Sequence, residues 1–411
     1  MKLRALLIVL VSAFSMNVSA GKFVLLNEQE MQTVKASIAE GTASKATKKA
    51  YKRLIKEADK ALNGPNYSVV DKSIIPPGAT ANDFVSISSK YWPNENSPTG
   101  FPWVKNGDTN PDTKSDKVDR QRIKDMAEAV LLLSQAYYFS DNAEYAKKAA
   151  IMIKVWFLAN KTRMTPHLQF AQTIPGVDKR SSSGVMDGRL IPHNILDSIS
   201  LIRNSGFWSE RFDGVMNQWF AAYLQYLTGS KMGHNALKKN DRNGSWYLFQ
   251  TSALAFYLGD DKVLKRQLKF AKGKLKDQFN GSGGLVKEIT RSNSYTDSCF
   301  NLEGLTALAV VADKANKKFW DLPSKKKSAI GKGLQYMVPA TVKGDWAHDA
   351  KDIDVVDCLD AFTRYAELSG SPEMKSVVSG MLTEISDKGK QSGDEKRALM
   401  RFGLYKPHLL N

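Results

Sequence analysis

The chain has 411 residues, of which 42% are hydrophobic and 25% charged, and a formal net charge of +17. This length allows one large domain or two, and the basic excess favours a polyanionic partner, either nucleic acid or acidic polysaccharide. Cys299 and Cys358 are the two cysteines. Neither has metal-site spacing, and no cofactor is predicted. They are expected to form either a disulfide or two buried free thiols.

The N-terminus has the pattern of a cleaved secretory signal peptide. Lys2 and Arg4 precede the apolar run LLIVLVSAF, and the small residues Val18-Ser19-Ala20 follow. We therefore predict a signal peptide at residues 1–20 and one domain at 21–411. No later stretch is long and apolar enough to form a transmembrane helix. The expected location is exported, either periplasmic or secreted, which makes acidic polysaccharide a more natural partner than nucleic acid.

Helical periodicity dominates the chain. It begins between Asn27 and Ala61, stops at 64–117, where Pro, Gly, Asn and aromatic residues predict a long ordered loop, and resumes at 119. Residues 283–289 are the best candidate for a short strand. The chain is therefore predicted to be all-α, with helical hairpins that close into a bundle, a solenoid or a toroid. The predicted helices after the loop are 119–139, 143–159, 190–204, 207–228, 245–259, 261–279, 298–315, 325–340, 353–369 and 371–386.

Polar loops at 160–189, 229–244 and 280–297 interrupt these helices, and together they are expected to form a cleft. The second loop leads into KKNDRNGSWYLFQTSALAFYLGDD, residues 238–261. Its polar head is followed by a predicted turn at Gly244 and by a helix that is apolar on all sides and therefore belongs in the interior. The N–H groups at the start of such a helix favour an anionic ligand.

Four segments in this order resemble the alginate-lyase-like polysaccharide lyases. They are YWPNENSPTGFPWVKNGDTNP, RMTPHLQFAQTIPG, NGSWYLFQTSALAFYLGD and FNLEGLTALA. The resemblance implies an incomplete (α/α) toroid of helical hairpins. It also implies metal-independent β-elimination of a polyuronate, such as alginate or glucuronan.

This reaction requires particular side chains. The C5 proton lies α to a carboxylate and is hardly acidic unless hydrogen-bond donors or a cation stabilise the enolate-like intermediate. Arg242, Asn243 and Asn240 at the helix head are candidates for that role. Relatives commonly show Asn or His before Gly-Ser/Thr-Trp, whereas this chain has Asp241-Arg242-Asn243, so the identity of the neutralising residue stays open.

The resemblance assigns the roles of base and acid to Tyr295, with Arg291 close by to favour its phenolate or to bind substrate. If the segment is aligned on FNLEGL instead, the tyrosine position of the family falls on Asp297. His193 is the alternative base or a carboxylate neutraliser. Further predicted substrate-binding residues are His167, Gln172, Arg180, Arg189, Lys239, Asn240, Trp246 and Trp103. Trp246 lies on the apolar helix and also fits the core, whereas Trp103 lies in a loop and fits a sugar-stacking role.

Other functions fit parts of the sequence. A non-catalytic protein that binds acidic glycans would explain the Asp241-Arg242 departure. A two-carboxylate hydrolase could use Asp241, Asp297 or Glu303, but nothing in the sequence sets their separation. A nucleic-acid binder follows from charge alone and lacks a recognised motif.

Overall fold

The computed structural model describes residues 22–177, 182–317, 319, 323–324 and 327–410. The predicted signal peptide and Arg180 lie outside these residues. None of the described helices combines the length and the apolar character needed to cross a bilayer.

Helices dominate the described residues. The fourteen α-helices are α1 (Glu28–Ala39), α2 (Lys45–Leu62), α3 (Asp119–Ser140), α4 (Ala143–Phe157), α5 (Leu196–Ile202), α6 (Glu210–Gly229), α7 (Lys231–Leu237), α8 (Arg242–Leu258), α9 (Asp261–Gln278), α10 (Ser294–Lys314), α11 (Ala329–Lys343), α12 (Val356–Ser369), α13 (Pro372–Asp387) and α14 (Gly393–Tyr405). The strands are β1 (Val85–Ile87), β2 (Tyr91–Trp92), β3 (Val104–Lys105), β4 (Phe170–Thr173), β5 (Pro323–Ser324) and β6 (Lys327–Ser328).

The helices form an α/α toroid of hairpins, as the family resemblance implies. Helices α2, α3 and α5 contact one another in that order, as do α8, α10, α12 and α14, and α14 packs back on α2. The π-helical turn Ile191–Ile195, which precedes α5, contacts α8 and joins the two series into the inner ring. Helices α4, α6, α9, α11 and α13 pack outside it. The α8–α9 hairpin shows how the sequence turns a helix back. Gly259 ends α8 with a left-handed φ of 75°, and the Asp260 side chain then caps α9 by accepting from the amide of Val263 at 2.9 Å.

The contact between α8 and α10 is built around the indole of Trp246. This side chain is 1% exposed, and its Nε1 donates to the carbonyl oxygen of Phe300 at 2.9 Å. Gly304 allows the close approach, because a Cβ at that position would lie 3.2 Å from the indole ring. The prediction that α8 is an interior helix is confirmed.

Three local expectations about this region were wrong. Helix α8 begins at Arg242 rather than after Gly244, because the Asp241 side chain caps it by accepting from the amide of Asn243 at 2.8 Å. Helix α10 begins at Ser294, four residues before the predicted start. The strand expected at 283–289 is reduced to an isolated bridge between Phe279 and Leu285. Helices α7 and α14 were not predicted.

The long loop at 64–117 is ordered, as predicted. Val85 of β1 pairs in parallel with Phe170 of β4, and β2 pairs with β3. A small apolar cluster holds the loop against the ring, and it comprises Val85, Ile87, Trp103, Val118 and Phe170.

A disulfide joins neighbouring inner helices. It links Cys299 on α10 to Cys358 on α12, so the first of the two alternatives for the cysteines is confirmed. The bond closes a loop of 59 residues, which removes many conformations from the unfolded chain.

We predict that the double variant Cys299→Ala/Cys358→Ala is less stable by about 4 kcal/mol, the loop-closure entropy for this separation. The measurement is denaturant unfolding of the oxidised wild type and of the variant. Addition of a reducing agent should lower the stability of the wild type to that of the variant, and it should leave the stability of the variant unchanged. Equal stability of the oxidised wild type and the variant would contradict the prediction.

Candidate active site

A cavity of about 990 Å³ opens inside the helical ring. The three predicted polar loops each end at its wall, at Arg189, Arg242 and Asp297. Helices α2, α3, α12 and α14 supply the opposite wall. The cleft expected at these loops is present, but the second and third loops contribute to it only through the first turns of α8 and α10.

His193 lies in the wall of this cavity and also borders a second cavity of about 720 Å³. It occupies a single π-helical turn, Ile191–Ile195, that precedes α5. Such wide turns are rare and occur frequently at functional sites. Here the turn leaves the imidazole partly exposed while Ile191 and Ile195 on either side stay buried.

The contacts of His193 define its protonation state. Arg364 donates from Nη2 to the Nε2 atom of His193 at 3.2 Å, so Nε2 is an acceptor and Nδ1 carries the proton. Nδ1 then donates to Asn194 Oδ1 at 2.7 Å. Burial, together with the Arg364 cation, lowers the pKa of His193 to about 4. The imidazole is therefore neutral at pH 7.

Arg189 lies beside the same aromatic cluster. Its guanidinium carbon is 5.1 Å from the centre of the Phe300 ring and 5.8 Å from that of Trp246, and the His193 ring is 6.1 Å from Trp246. Nη1 donates to the carbonyl oxygen of Met186 at 3.0 Å. Within the described ranges, no carboxylate lies within 4.0 Å of Arg189. This guanidinium is thus a cation in the cavity wall that lacks a paired anion.

Glu303 lies next to His193, with 3.7 Å between Oε1 and Nε2, and it also lines the cavity. Burial raises the pKa of Glu303. Behind it, Arg401 holds Asp360 with two hydrogen bonds of 2.9 and 3.0 Å. Although burial opposes ionisation of Asp360, the guanidinium groups of Arg401 and Arg364 bring its pKa to about 2. The surroundings therefore give the two carboxyl groups different properties. Asp360 is ionised, whereas Glu303 holds its proton more readily.

Arg242 lies at the cavity wall and contacts the carboxylate of Asp297. Arg291 approaches the same carboxylate, with 3.7 Å between its Nε and Oδ2 of Asp297. Among the described residues, the buried Nε atom of neither arginine has a hydrogen-bond acceptor. Asp297, which is the alternative family position in the sequence, therefore already neutralises the two predicted cations.

A smaller cavity of about 300 Å³ adjoins the large one and shares Arg189 with it. Its charged lining consists of four cations and one acid, Asp187. The cations are Lys114, Arg120, Lys124 and Arg189. This end of the cleft is thus suited to an anionic ligand.

Tyr295 does not line any of these three cavities. Its side chain is 0% exposed, its hydroxyl is 3.2 Å from Thr341 Oγ1, and its ring packs edge-on against Trp346. Burial raises the pKa of its phenol. The early start of α10 causes this placement, because it turns Tyr295 into the core and Asp297 toward the cavity. The geometry gives no support for Tyr295 as the base.

Several predicted binding residues have structural contacts instead. His167 donates from Nε2 to Asp83 Oδ1 at 3.1 Å, and its Nδ1 accepts from the amide of Gln169. Gln172 donates from Nε2 to Asp187 Oδ2 at 3.0 Å and so positions a cavity residue without lining the cavity itself. These contacts order the loop at 160–189.

The predicted tryptophans and the helix-head residues other than Arg242 also lie outside the cavity lining. Trp246 is buried in the core, where its ring packs beside the Arg189 and His193 side chains. Trp103 is 6% exposed and belongs to the small apolar cluster. The remaining predicted residues, Lys239, Asn240 and Asn243, lie at or just before the start of α8. Asn243 binds Asp241, Asn240 accepts from Lys274 at 2.8 Å, and Lys239 is exposed.

Arg364 and Arg401 were missed by sequence reasoning, and Glu303 was considered only for hydrolysis. These residues lie on α10, α12 and α14, whose sequences are typical of ordinary amphipathic helices. The one feature that could have indicated them is a charged residue on an otherwise buried helix face. Among the described residues, no group of three His, Cys, Asp or Glu side chains is arranged to hold a metal ion.

Solved structures share this fold. An alginate lyase from Bacteroides ovatus superposes with a TM-score of 0.81 at 24% identity, covering 94% of this chain and 99% of that one. Alginate lyase A1-III from Sphingomonas species A1 superposes with a TM-score of 0.54 at 14% identity, covering 85% and 91%. A histidine-to-alanine variant of A1-III complexed with tetrasaccharide gives the same score and identity, covering 84% and 88%.

Sequence comparison gives the family. No curated protein matches the chain significantly. The family model described as alginate lyase matches residues 68–347, which is more than half of the chain and includes Arg189, His193, Arg242 and Glu303. The chain therefore belongs to the alginate lyase family and is a polysaccharide lyase.

Proposed function

We propose that this protein cleaves a polyuronate, alginate or a glucuronan-like polymer, by β-elimination in the large cavity. One observation carries the proposal. The neutral imidazole of His193 and the guanidinium of Arg189, which has no ion-pair partner among the described residues, both lie against the indole of Trp246 at the wall of the same cavity. Family membership and the alginate lyases that share the fold support alginate as the first substrate to test.

Arg189 is suited to neutralise the carboxylate at the reacting sugar. The intermediate formed by loss of the C5 proton carries a second negative charge on that carboxylate, and a preorganised cation stabilises it. Arg189 is preorganised because its guanidinium stacks on Phe300 and binds the Met186 carbonyl. It needs no carboxylate to be displaced before substrate binds, in contrast to Arg242, which contacts Asp297.

His193 is suited to take the C5 proton. Its Nε2 atom carries a lone pair at neutral pH, and Asn194 fixes the tautomer by accepting from Nδ1. Arg364 now donates to this lone pair, so the mechanism requires the substrate carboxylate to attract that guanidinium away. Substrate charge also raises the pKa of His193, which makes it a stronger base in the complex.

Glu303 is suited to protonate the leaving oxygen. The electron pair of the C5–H bond forms the C4=C5 double bond, the C4–O bond breaks, and the leaving oxygen needs a proton. Glu303 lines the cavity 3.7 Å from Nε2 of His193, and its raised pKa favours the protonated carboxyl. Proton removal and proton delivery thus belong to neighbouring groups with opposite pKa shifts.

The export of the protein is part of the proposal. Residues 1–20 have the signal-peptide pattern, and the Cys299–Cys358 disulfide is typical of proteins in oxidising compartments. A periplasmic or secreted location would place the enzyme where polyuronates occur.

A non-catalytic glycan-binding protein is the second candidate. The contact between Arg242 and Asp297 favours it, because a carboxylate of the chain already neutralises the cation that this chain carries at the helix head, where relatives show Asn or His. This candidate predicts tight binding of polyuronate without product.

The direct test is the ultraviolet absorbance of the C4=C5 product when the protein is given polymannuronate, polyguluronate or glucuronan with a chelator present. The wild type should give product on at least one polymer. Arg189→Gln should lower kcat/KM on the order of 100- to 1000-fold, because it removes one preorganised stabilising group. The matched control is Arg397→Gln, whose arginine lines the cavity but is paired with Asp394, and it should stay within a few-fold of wild type.

Two outcomes would contradict the proposal. Binding of all three polymers without product would favour the glycan-binding protein. Equal losses in Arg189→Gln and Arg397→Gln would show that Arg189 has no special role.

The pH dependence tests His193. Because its folded pKa is about 4, against an ordinary value of 6.5, the acid limb of kcat/KM should lie near pH 4 rather than near 6.5. Between these values the unfolded chain binds the proton more readily, so stability should also fall as the pH is lowered from 6.5 to 4. The measurement is NMR titration of the imidazole, assigned with His193→Gln. A titration midpoint between pH 6 and 7 would contradict the assignment.

Tyr295→Phe tests the alternative base. Since Tyr295 lies in the core, we expect kcat/KM within a few-fold of wild type and a loss of stability of about 1 kcal/mol from the hydrogen bond to Thr341. Product formation and denaturant unfolding of the same preparation give both values. A variant that is folded and stable but has lost its activity would restore Tyr295 as the base.

A further inference from the structure

The positive charge of the protein is concentrated outside the cleft. The large cavity is lined by nine carboxylates and seven lysines and arginines, so it carries none of the net excess of +17. Helix α9, on the outside of the ring, carries part of this excess, as does the exposed face of α2. The exposed face of α9 carries six cations and only two acids, Asp261 and Asp277, one at each end. The cations are Lys262, Lys265, Arg266, Lys269, Lys272 and Lys276.

None of these six side chains forms an ion pair or a side-chain hydrogen bond within the described part of the chain. They repeat at spacings of three and four residues, as in Lys265, Lys269, Lys272 and Lys276, so like charges face each other along one side of the helix. Such pairs destabilise a helix, and lysines on a solvated helix are ordinarily interspersed with acids that relieve the repulsion. The repulsion along α9 would be relieved by a polyanion.

The α9 basic face leads to the cleft. At the C-terminal end of the helix, Lys274 donates to the carbonyl oxygen of Lys239 at 3.2 Å and to Asn240 Oδ1 at 2.8 Å. Lys239 is exposed, and Arg242, three residues further along, lines the large cavity. A row of cations thus continues from the outer helix to the wall of the proposed catalytic cavity.

The face also offers apolar contact. Phe270 is 40% exposed in the middle of the helix, between Arg266 and Lys272, while Leu264, Leu268 and Leu275 are buried against the ring. An exposed aromatic ring among cations suits a ligand that combines flat apolar sugar faces with regularly spaced carboxylates.

We propose that the exposed face of α9 is a second, non-catalytic binding surface for an acidic polysaccharide chain, which it holds while another part of the same chain enters the cleft. The identity of the polymer as a polyuronate rests on the proposed function. The surface itself does not require that the cleft be catalytic. Its chemistry favours long polymers over short oligosaccharides, because a short chain cannot reach the helix and the cavity together.

The test compares two variants of the full chain with equal changes in charge. One carries Lys265→Gln, Lys269→Gln, Lys272→Gln and Lys276→Gln on α9. The control carries Lys45→Gln, Lys49→Gln, Lys52→Gln and Lys56→Gln on the exposed face of α2, whose lysines also lack ion-pair partners among the described residues. Binding to immobilised long-chain alginate is measured in a His193→Gln background over a range of salt concentrations.

The α9 variant should bind the polymer about tenfold more weakly, with a shallower dependence of log Kd on log salt concentration, while the α2 control stays near the parent. Binding of an alginate tetrasaccharide should be the same in all three proteins. Because the assay measures binding, it tests the α9 surface even if no polymer is cleaved.

Three results would overturn the proposal. Equal weakening in the α9 and α2 variants would show that net charge alone governs binding, and unchanged binding in both would show that the cleft alone holds the polymer. Tighter binding of the parent to double-stranded DNA than to alginate at the same salt concentration, lost in the α9 variant, would assign the surface to nucleic acid instead.

Discussion

The buried indole of Trp246 is the constraint on which the site depends. It fills the space between α8 and α10, where Gly304 permits close contact and the Phe300 carbonyl takes its N–H. The same ring lies beside the imidazole of His193 and the guanidinium of Arg189. The packing of two inner helices therefore also fixes the separation of the two groups that the proposed chemistry needs. The tryptophan is 1% exposed and acts through this packing.

Burial gives these groups their chemical character. A ring of helices surrounds His193 and Glu303, so the charged form of each is disfavoured: the pKa of the histidine falls and that of the glutamate rises. Arg364, Asp360 and Arg401 form a charged support behind them. The cleft thus combines a neutral base with a carboxyl group that holds its proton more readily than usual, and the basic helix α9 outside it supplies attraction for a polyanion.

Periodicity predicted most of this fold, whereas the site was only partly predicted. The apolar pattern of α8 is long and strong, so its interior position could be read directly, and the three polar loops do meet at the cleft. The first residues of the helices were harder to predict. The side chain of Asp241 caps α8 before Gly244, where the sequence predicted a turn. Helix α10 starts four residues earlier than predicted. Asp297 therefore lines the cavity, where Tyr295 had been expected. Glu303 and Arg364 come together only through the contacts of α10, α12 and the π-helical turn at His193, which local patterns do not contain.

The measurement that tests the central claim most directly is the crystal structure of the His193→Gln variant with an alginate tetrasaccharide. The account predicts a sugar carboxylate within hydrogen-bonding distance, about 3 Å, of the Arg189 guanidinium. It also predicts that C5 of the same sugar faces residue 193 and that O4 faces Glu303. An oligosaccharide whose carboxylate instead displaces Asp297 from Arg242 and Arg291, with Arg189 left free, would contradict it.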